Sequence, residues 1–323
     1  MEERINILIG SDINYAPYYG VMLTSLFINN RESHFDVYLL TDETWSNAET
    51  ERFSKLCDRY ESNFHVYVVN VDILKKFPKS GHITLPTYYR LQACNILPDS
   101  IHKILYLDGD MIVLGDIRPL WNINLEGYAF AGAEDCDSLS NECYLRLGYE
   151  RKYGYYNAGV SLYNFDYWRQ NHISEKLIEL INTKPEIMKW MDQDAVNCLL
   201  HKKRMVIPRR WDFEVYYMFH QWWDKYDDNL RREIVEEGQN AVIVHYNGTI
   251  KPWSFKYLGY PFSQSWRYYN ELSLWKIDIN KPRGKYIKHL IKHMFPSSIA
   301  FNSRNKSVVK DFWNYETACH SLK

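Results

Sequence analysis

The chain has 323 residues and a formal net charge of -1, so it is long enough for one large domain or for one domain with an appendage, and its charge does not indicate a nucleic-acid partner. Its six cysteines form no CxxC pair, so they indicate neither a zinc site nor a disulfide framework, and a reducing cytoplasm is the simplest setting. The first residues, MEERINILIG, do not resemble a signal peptide, and no run of about eighteen apolar residues occurs. We therefore expect any membrane contact to be peripheral.

Short runs rich in Ile, Val, Leu and Tyr alternate with longer stretches of helical period, such as residues 46–61. The four runs are INILIG (5–10), FDVYLL (35–40), FHVYVV (64–69) and KILYLD (103–108). Strands that alternate with helices predict an α/β fold with a mostly parallel central sheet flanked by helices. In such sheets ligands bind beyond the carboxyl ends of the strands.

Polar residues follow the first and the fourth of these predicted strands. Asp12 and Asn14 come after the first, and Asp108 and Asp110 end the fourth with Gly109 between them. Two carboxylates at positions i and i+2 of a strand end project to the same side and can bind one hard divalent cation. An acidic triplet can also be a solvated loop, but this pair lies at the edge of an apolar run, where a bound cation would compensate its charge. We predict a cation there that holds a diphosphate.

The segment HYNGTIKPW (245–253) supplies further groups for such a site. Neither a GxGxxG loop nor a GxxxxGK[ST] loop occurs, so we expect a metal and side chains to hold the phosphates. His245 follows the strand-like run AVIV; it is either a metal ligand or a hydrogen-bonded structural residue. An imidazole added to carboxylates favours manganese, with magnesium as the alternative. Gly248 would let the backbone approach a phosphate, and Lys251 would neutralise its charge.

The pattern changes near residue 262, which predicts a domain over residues 1–262 and a basic, aromatic helical appendage over residues 263–323. Residues 276–323 contain ten Lys or Arg residues against three acidic residues. An apolar stripe at helical spacing lies within this part, formed by Ile287, Leu290, Ile291 and Met294. This helix either contacts anionic lipid at the inner face of the membrane or packs on its own domain.

Six motifs, taken in order, resemble those of glycosyltransferase family 8 over residues 5 to about 260. They are DIN (12–14), TYYRL (87–91), LYLDGDMIV (105–113), YYNAGVSLYN (155–164), MDQDAVN (191–197) and HYNGTIKPW. This retaining family includes bacterial lipooligosaccharide galactosyltransferases, lipopolysaccharide glucosyltransferases and glycogenin. The resemblance implies a GT-A type fold, a UDP-galactose or UDP-glucose donor, and Mn²⁺ bound by Asp108, Asp110 and His245, with Mg²⁺ as the alternative.

The resemblance also implies roles for the residues around the donor. Asp12 and Asn14 would contact the uridine part, and Gly248 and Lys251 the diphosphate. Gly109, the residue between the two aspartates of the acidic motif, is also assigned to donor binding. The residues that would surround the donor sugar are Arg90, Asn157, Asp192 and Gln193.

Retention of anomeric configuration leaves two mechanisms open, and the residues assigned to catalysis are Gln193, Asp192 and Asp135. A covalent route needs a nucleophile on the sugar face opposite the leaving group, and the amide of Gln193 is a poor one. In an internal return the acceptor hydroxyl attacks from the leaving-group face while Gln193 stabilises the anomeric carbon. We favour the internal return. Asp135 is either a donor or acceptor contact or a loop carboxylate.

The function that we expect is metal-dependent transfer of a hexose, galactose first and glucose second, from UDP to a sugar hydroxyl of a lipid-linked or protein-linked glycan. A haloacid dehalogenase type phosphatase is disfavoured because its acidic motif normally ends the first strand. A non-catalytic glycan-binding or nucleotide-sugar-binding protein and a self-glucosylating protein are further alternatives. Trp222 and Trp223 either stack on the acceptor or fill a small core. The sequence does not distinguish galactose from glucose.

Overall fold

The computed structural model describes residues 4–78, 85–218, 223, 225–254 and 261–279. The chain divides into two compact units. The first unit consists of Met1–Tyr19, Asn30–Gly109 and Asp116–Ile207, and the second of Gly20–Asn29, Asp110–Gly115 and Pro208–Lys323. The predicted boundary between residues 262 and 263 stays a prediction, and the stripe from Ile287 to Met294 lies outside the described residues.

The elements are numbered in chain order within the described residues. The strands are β1 (Ile5–Gly10), β2 (Phe35–Thr41), β3 (Asn63–Val68), β4 (Lys103–Leu107), β5 (Met111–Val113), β6 (Phe130–Gly132), β7 (Val160–Asn164), β8 (Arg204–Val206), β9 (Phe213–Glu214) and β10 (Ile243–His245). The α-helices are α1 (Ala16–Asn29), α2 (Asn47–Asp58), α3 (Ala93–Ile96), α4 (Arg118–Trp121), α5 (Asn141–Leu147), α6 (Phe165–Gln170), α7 (Ile173–Thr183), α8 (Met191–Leu200), α9 (Asp228–Gln239) and α10 (Ser263–Leu272).

The first unit is built on a seven-stranded sheet with the order β3-β2-β1-β4-β7-β6-β8. Strands β3, β2, β1 and β4 run parallel to one another, β7 is antiparallel to both β4 and β6, and β8 is parallel to β6. The mostly parallel sheet and all four predicted strands are confirmed. Because β4 lies between β1 and β7, the residues after its carboxyl end are close to the turn that leads into β7.

Apolar residues explain why these strands and helices pack together. Ile7, Leu8 and Ile9 of β1 are all inaccessible to solvent, as expected for a parallel strand covered on both faces. Helix α2, which falls within the predicted helical stretch, buries Phe53, Leu56 and Cys57 on one face, and the hydroxyl of its N-cap Ser46 accepts a hydrogen bond from the Glu49 amide.

The second unit contains a three-stranded sheet with the order β5-β10-β9, in which β10 is antiparallel to β5 and parallel to β9. Its register places His245 beside Met111 on one side and Glu214 on the other. The amide of Tyr246 also donates to the carbonyl of Asp110 at 2.8 Å, which extends the pairing by one residue. Among the described residues no helix has the length and apolar character needed to cross a bilayer.

Candidate active site

Asp110 and His245 are brought together by the pairing of β5 with β10. Asp110 directly precedes β5 and His245 is the last residue of β10, so the antiparallel register places their side chains next to each other. The Nε2 atom of His245 lies 3.4 Å from Oδ1 of Asp110, and both residues are buried. They present an oxygen and a nitrogen that can bind one metal ion.

Lys251 is the second cationic neighbour of Asp110. Its ammonium group forms an ion pair with Oδ2 of Asp110 and donates to the carbonyl of Tyr246 at 3.0 Å. Burial alone would raise the pKa of Asp110, but Lys251 and His245 together hold that pKa well below its usual range. Asp110 is therefore ionised, as a metal ligand must be. The contact of Lys251 with a phosphate stays a prediction.

Asp212 contacts the second ring nitrogen of His245, and the sequence did not predict this contact. Its Oδ1 atom lies 3.0 Å from Nδ1 of His245, and the side chain is fully buried. Burial, the largest influence, would lower the pKa of His245, but Asp110 and Asp212 raise it well above its usual range. The sequence signal was a lone carboxylate between Trp211 and Phe213, too weak to assign by itself.

Gly248 occupies a position that strongly favours glycine. Its φ is +90°, and a Cβ atom there would lie 2.1 Å from the ring of Tyr216. The preceding Asn247 donates from its side-chain amide to Glu214, which fixes the start of this turn. Glycine is thus favoured in the turn after β10, and its approach to a phosphate stays a prediction.

In the first unit Arg90 brings together two of the predicted carboxylates. Its guanidinium is buried, 3.0 Å from Oδ2 of Asp192 and 3.2 Å from Oδ1 of Asp108, and it lies 3.9 Å above the ring of Tyr106. Burial would lower the pKa of Arg90, but Asp108 and Asp192 raise it well above its usual range. Burial raises the pKa of Asp192, while Arg90 and a 2.7 Å hydrogen bond from Thr87 act against that rise.

Gln193, Asp135 and Asn157 form one hydrogen-bonded group. The side-chain amides of Gln193 and Asn157 both donate to Oδ2 of Asp135, at 3.0 and 2.8 Å. The carbonyl of Gln193 accepts from the amide of Ala158 at 3.0 Å, so both ends of its side chain are fixed. The structure thus places three predicted donor-sugar or catalytic residues together and orients them through Asp135.

Asp194, next to Gln193, belongs to a separate ion pair. Its carboxylate accepts hydrogen bonds from Arg146 at 2.7 and 3.1 Å, from the hydroxyl of Tyr155 at 2.7 Å and from the amide of Trp190 at 2.6 Å. The side chain is fully buried. These contacts give Asp194 a structural role at the start of α8.

Asp12, Asn14 and Gly109 lie at the carboxyl ends of β1 and β4. The Asp12 carboxylate accepts from the amides of Asn14 and Tyr15, at 2.9 and 3.1 Å, and so forms the turn before α1. A Cβ atom on Gly109 would lie 2.9 Å from the ring of Tyr19, which explains a glycine there. The contacts of these residues with a nucleotide stay predictions.

Trp222 and Trp223 are the two tryptophans considered for stacking on the acceptor, and the structure describes only Trp223. Trp223 is 5% exposed, and its ring lies 6.2 Å from that of Tyr226 and 5.9 Å from the guanidinium of Arg231. This burial favours the alternative in which Trp223 fills a core. Trp222 lies outside the described residues.

The sequence model of glycosyl transferase family 8 matches residues 6–256 of the chain. The chain belongs to this family. Relatives include the lipopolysaccharide 1,2-glucosyltransferase of Escherichia coli K12, 29% identical over 307 residues that cover 92% of this chain and 88% of the relative. The lipopolysaccharide 1,3-galactosyltransferase of Salmonella typhimurium is 26% identical over 301 residues, which cover 91% of this chain and 86% of that protein.

Among solved structures, the galactosyltransferase LgtC in complex with donor and acceptor sugar analogs superposes on this family 8 chain with a TM-score of 0.73. The match covers 88% of this chain and 100% of LgtC at 23% sequence identity. A likeness at this identity shows the fold, and it confirms the GT-A type architecture predicted from the motifs.

Proposed function

We propose that this family 8 glycosyltransferase transfers a hexose from a UDP-sugar to a sugar hydroxyl of a cell-surface glycan, with retention and with a divalent cation. The observation that carries the proposal is the buried carboxyl group of Asp110 in contact with both His245 and Lys251. This arrangement of a carboxylate, an imidazole and an ammonium group is suited to binding a cation and the phosphates of an activated sugar. The same groups would also serve a non-catalytic nucleotide-sugar-binding protein, and release of UDP distinguishes the two functions.

We assign the cation to Asp108, Asp110 and His245, with Mn²⁺ preferred over Mg²⁺. Chain connectivity supports Asp108, because two Cα atoms separated by one residue lie within about 7 Å of each other. The donor set of two carboxylates and one imidazole fits a borderline-hard divalent ion. When bound, the cation supplies Lewis-acid stabilisation of the charge on the leaving diphosphate. Lys251 adds one positive charge beside Asp110.

For the chemical step we propose an internal return. Asp192 is paired with Arg90 and Asp194 with Arg146, while Asp135 accepts from two side-chain amides. Each carboxylate near Gln193 is thus engaged within the protein, which disfavours a covalent intermediate. The acceptor hydroxyl attacks from the leaving-group face and gives its proton to the departing phosphate. Gln193, fixed by Asp135 and Ala158, stabilises positive charge at the anomeric carbon through its carbonyl oxygen.

The names of two relatives support a hexose donor and a glycan acceptor. One is named a lipopolysaccharide glucosyltransferase and the other a lipopolysaccharide galactosyltransferase, which agrees with either hexose. We propose UDP-galactose as donor with UDP-glucose as the alternative, and a lipid-linked or protein-linked glycan as acceptor. Arg90, Asn157 and Asp192 would contact the donor sugar, and Asp12 and Asn14 the uridine part. Self-glucosylation is tested by adding donor without an acceptor and measuring protein-bound sugar.

The test is UDP release from a panel of UDP-sugars with and without Mn²⁺. We expect Asp110→Asn to lower the rate by roughly 10²-fold or more, because Lewis-acid stabilisation is worth several kcal/mol. Asp116→Asn is the matched control, since Asp116 is an exposed partner of Arg118. Unchanged release by Asp110→Asn would refute the metal assignment, and no release from any UDP-sugar with any metal would refute the function.

A further inference from the structure

Asp212 is a buried carboxylate that contacts His245 but has no assigned role in the proposed reaction. It directly precedes β9, which pairs in parallel with β10, and this pairing brings Asp212 to the imidazole at the end of β10. Its Oδ1 atom lies 3.0 Å from Nδ1, while Nε2 on the opposite side of the ring is 3.4 Å from Asp110. Asp212 has no solvent exposure, and His245 is 5% exposed.

We propose that Asp212 is the positioning residue of the cation site: it accepts the Nδ1 proton of His245 and thereby directs Nε2 to the metal. This inference rests on the proposed function, since it concerns the same cation. When a cation displaces the Nε2 proton the ring becomes neutral, and because a carboxylate can only accept at this contact, Nδ1 keeps its hydrogen and the lone pair lies on Nε2. Metal-binding histidines commonly have such a carboxylate partner, which fixes the tautomer and the ring orientation.

Strand β9 itself contains a second buried carboxylate, Glu214, which serves as a control for the effect of burial alone. Glu214 is also fully buried, but it accepts from the hydroxyl of Tyr217 at 3.0 Å and from the amide of Asn247, and no hydrogen bond to His245 is seen for it among the described residues. A general loss of stability in the second unit would follow from changing either residue. A loss of metal affinity beyond that effect is expected only for Asp212.

The experiment measures Mn²⁺ binding to the full chain by the EPR signal of free Mn²⁺, without nucleotide, together with thermal unfolding of each variant. We expect Asp212→Ala to weaken Mn²⁺ binding about 10- to 100-fold, the usual effect of removing the partner of a metal-bound histidine. Asp212→Asn should retain part of the affinity, because its amide oxygen still accepts from Nδ1. Glu214→Gln should lower the unfolding temperature without changing the Mn²⁺ dissociation constant.

A double-mutant cycle with His245→Ala completes the test. If Asp212 acts through His245, Asp212→Ala should weaken binding no further in the His245→Ala background. Wild-type affinity in both Asp212 variants would overturn the positioning role while leaving the proposed function intact. No Mn²⁺ binding by the wild-type protein, or no effect of His245→Ala, would instead refute the metal site itself. Should Asp212→Ala fail to fold, Asp212→Asn and the Glu214 control decide the question.

Discussion

Gly248 and Gly127 both have backbone angles that favour glycine, with φ of +90° and +79°, but they differ in their surroundings. Nothing lies within 4 Å of a Cβ atom built on Gly127, whereas one on Gly248 meets the ring of Tyr216. We expect Gly127→Ala to lower the free energy of unfolding by about 1–2 kcal/mol, because the left-handed backbone conformation is strained for alanine. Gly248→Ala should cost more, and it should also weaken UDP binding because the turn after β10 has to move.

Urea unfolding and calorimetric titration with UDP and Mn²⁺ measure the two effects. Gly127→Ala is the control for backbone strain, so the difference between the variants reports the contact with Tyr216 and its consequence for the ligand. If both variants lost equal stability and both bound UDP like the wild type, the turn would have no special part in donor binding.

The sequence predicted many site residues singly, but it did not predict all of their contacts. Asp108 and Asp110 could be predicted as site residues because they end an apolar run, and His245 because it follows one. Asp212 escaped notice because its partner His245 is 33 residues away and the contact depends on the register of β9 with β10. Likewise no local pattern shows that the amide of Gln193 is fixed by Asp135.

Arg90 connects three elements of the first unit. It lies in the 3-10 helix Leu85–Gln92 and contacts Asp108 after β4, Asp192 in α8 and the carbonyl of Ala158 before β7. We predict that Arg90→Met destabilises the protein by about 3–5 kcal/mol, because it leaves the buried Asp192 without a compensating charge. Thermal and urea unfolding measure this loss.

The matched control for Arg90→Met is Arg118→Met. Arg118 forms its ion pair with Asp116 at 2.8 Å, but both side chains are about half exposed, at 50% and 43%. Such surface pairs contribute only about 0–1 kcal/mol. If the two variants lost the same stability, Arg90 would not be holding these elements together.

At the level of elements, apolar runs predicted β1 to β4 because each is rich in apolar residues and bounded by polar ones; β1, β2 and β4 are mostly buried, whereas β3 is only partly buried. The sheet β5-β10-β9 was not predicted. Its strands have only two or three residues, and MIV after Asp110 reads as a continuation of the preceding strand. The antiparallel direction of β7 could not be predicted either, since alternation of apolar residues is the same in both directions.

Over the whole chain, a net charge of -1 conceals a basic carboxyl-terminal part, with ten Lys or Arg residues against three acidic ones in residues 276–323. We propose that this part holds the protein at the anionic inner face of the membrane, where a lipid-linked acceptor would be reached. Each basic residue near such a surface contributes about 1 kcal/mol. The attraction should weaken as salt rises, because the Debye length is about 8 Å at 0.15 M.

We predict that replacing Lys285, Lys288 and Lys292 with Glu lowers the partition of the full chain onto vesicles that contain phosphatidylglycerol. Loss of three attractive charges at about 1 kcal/mol each by itself corresponds to roughly 10²-fold weaker binding, and the three added negative charges weaken binding further; flotation at low ionic strength measures the effect. The control changes the net charge equally by replacing the exposed Lys55, Lys152 and Lys184 with Glu. Equal loss in both variants would mean that total charge alone governs the binding. Equal binding by both variants and the wild type would exclude a membrane role for the basic part, and the proposed hexose transfer would then require the enzyme to bind its acceptor from solution.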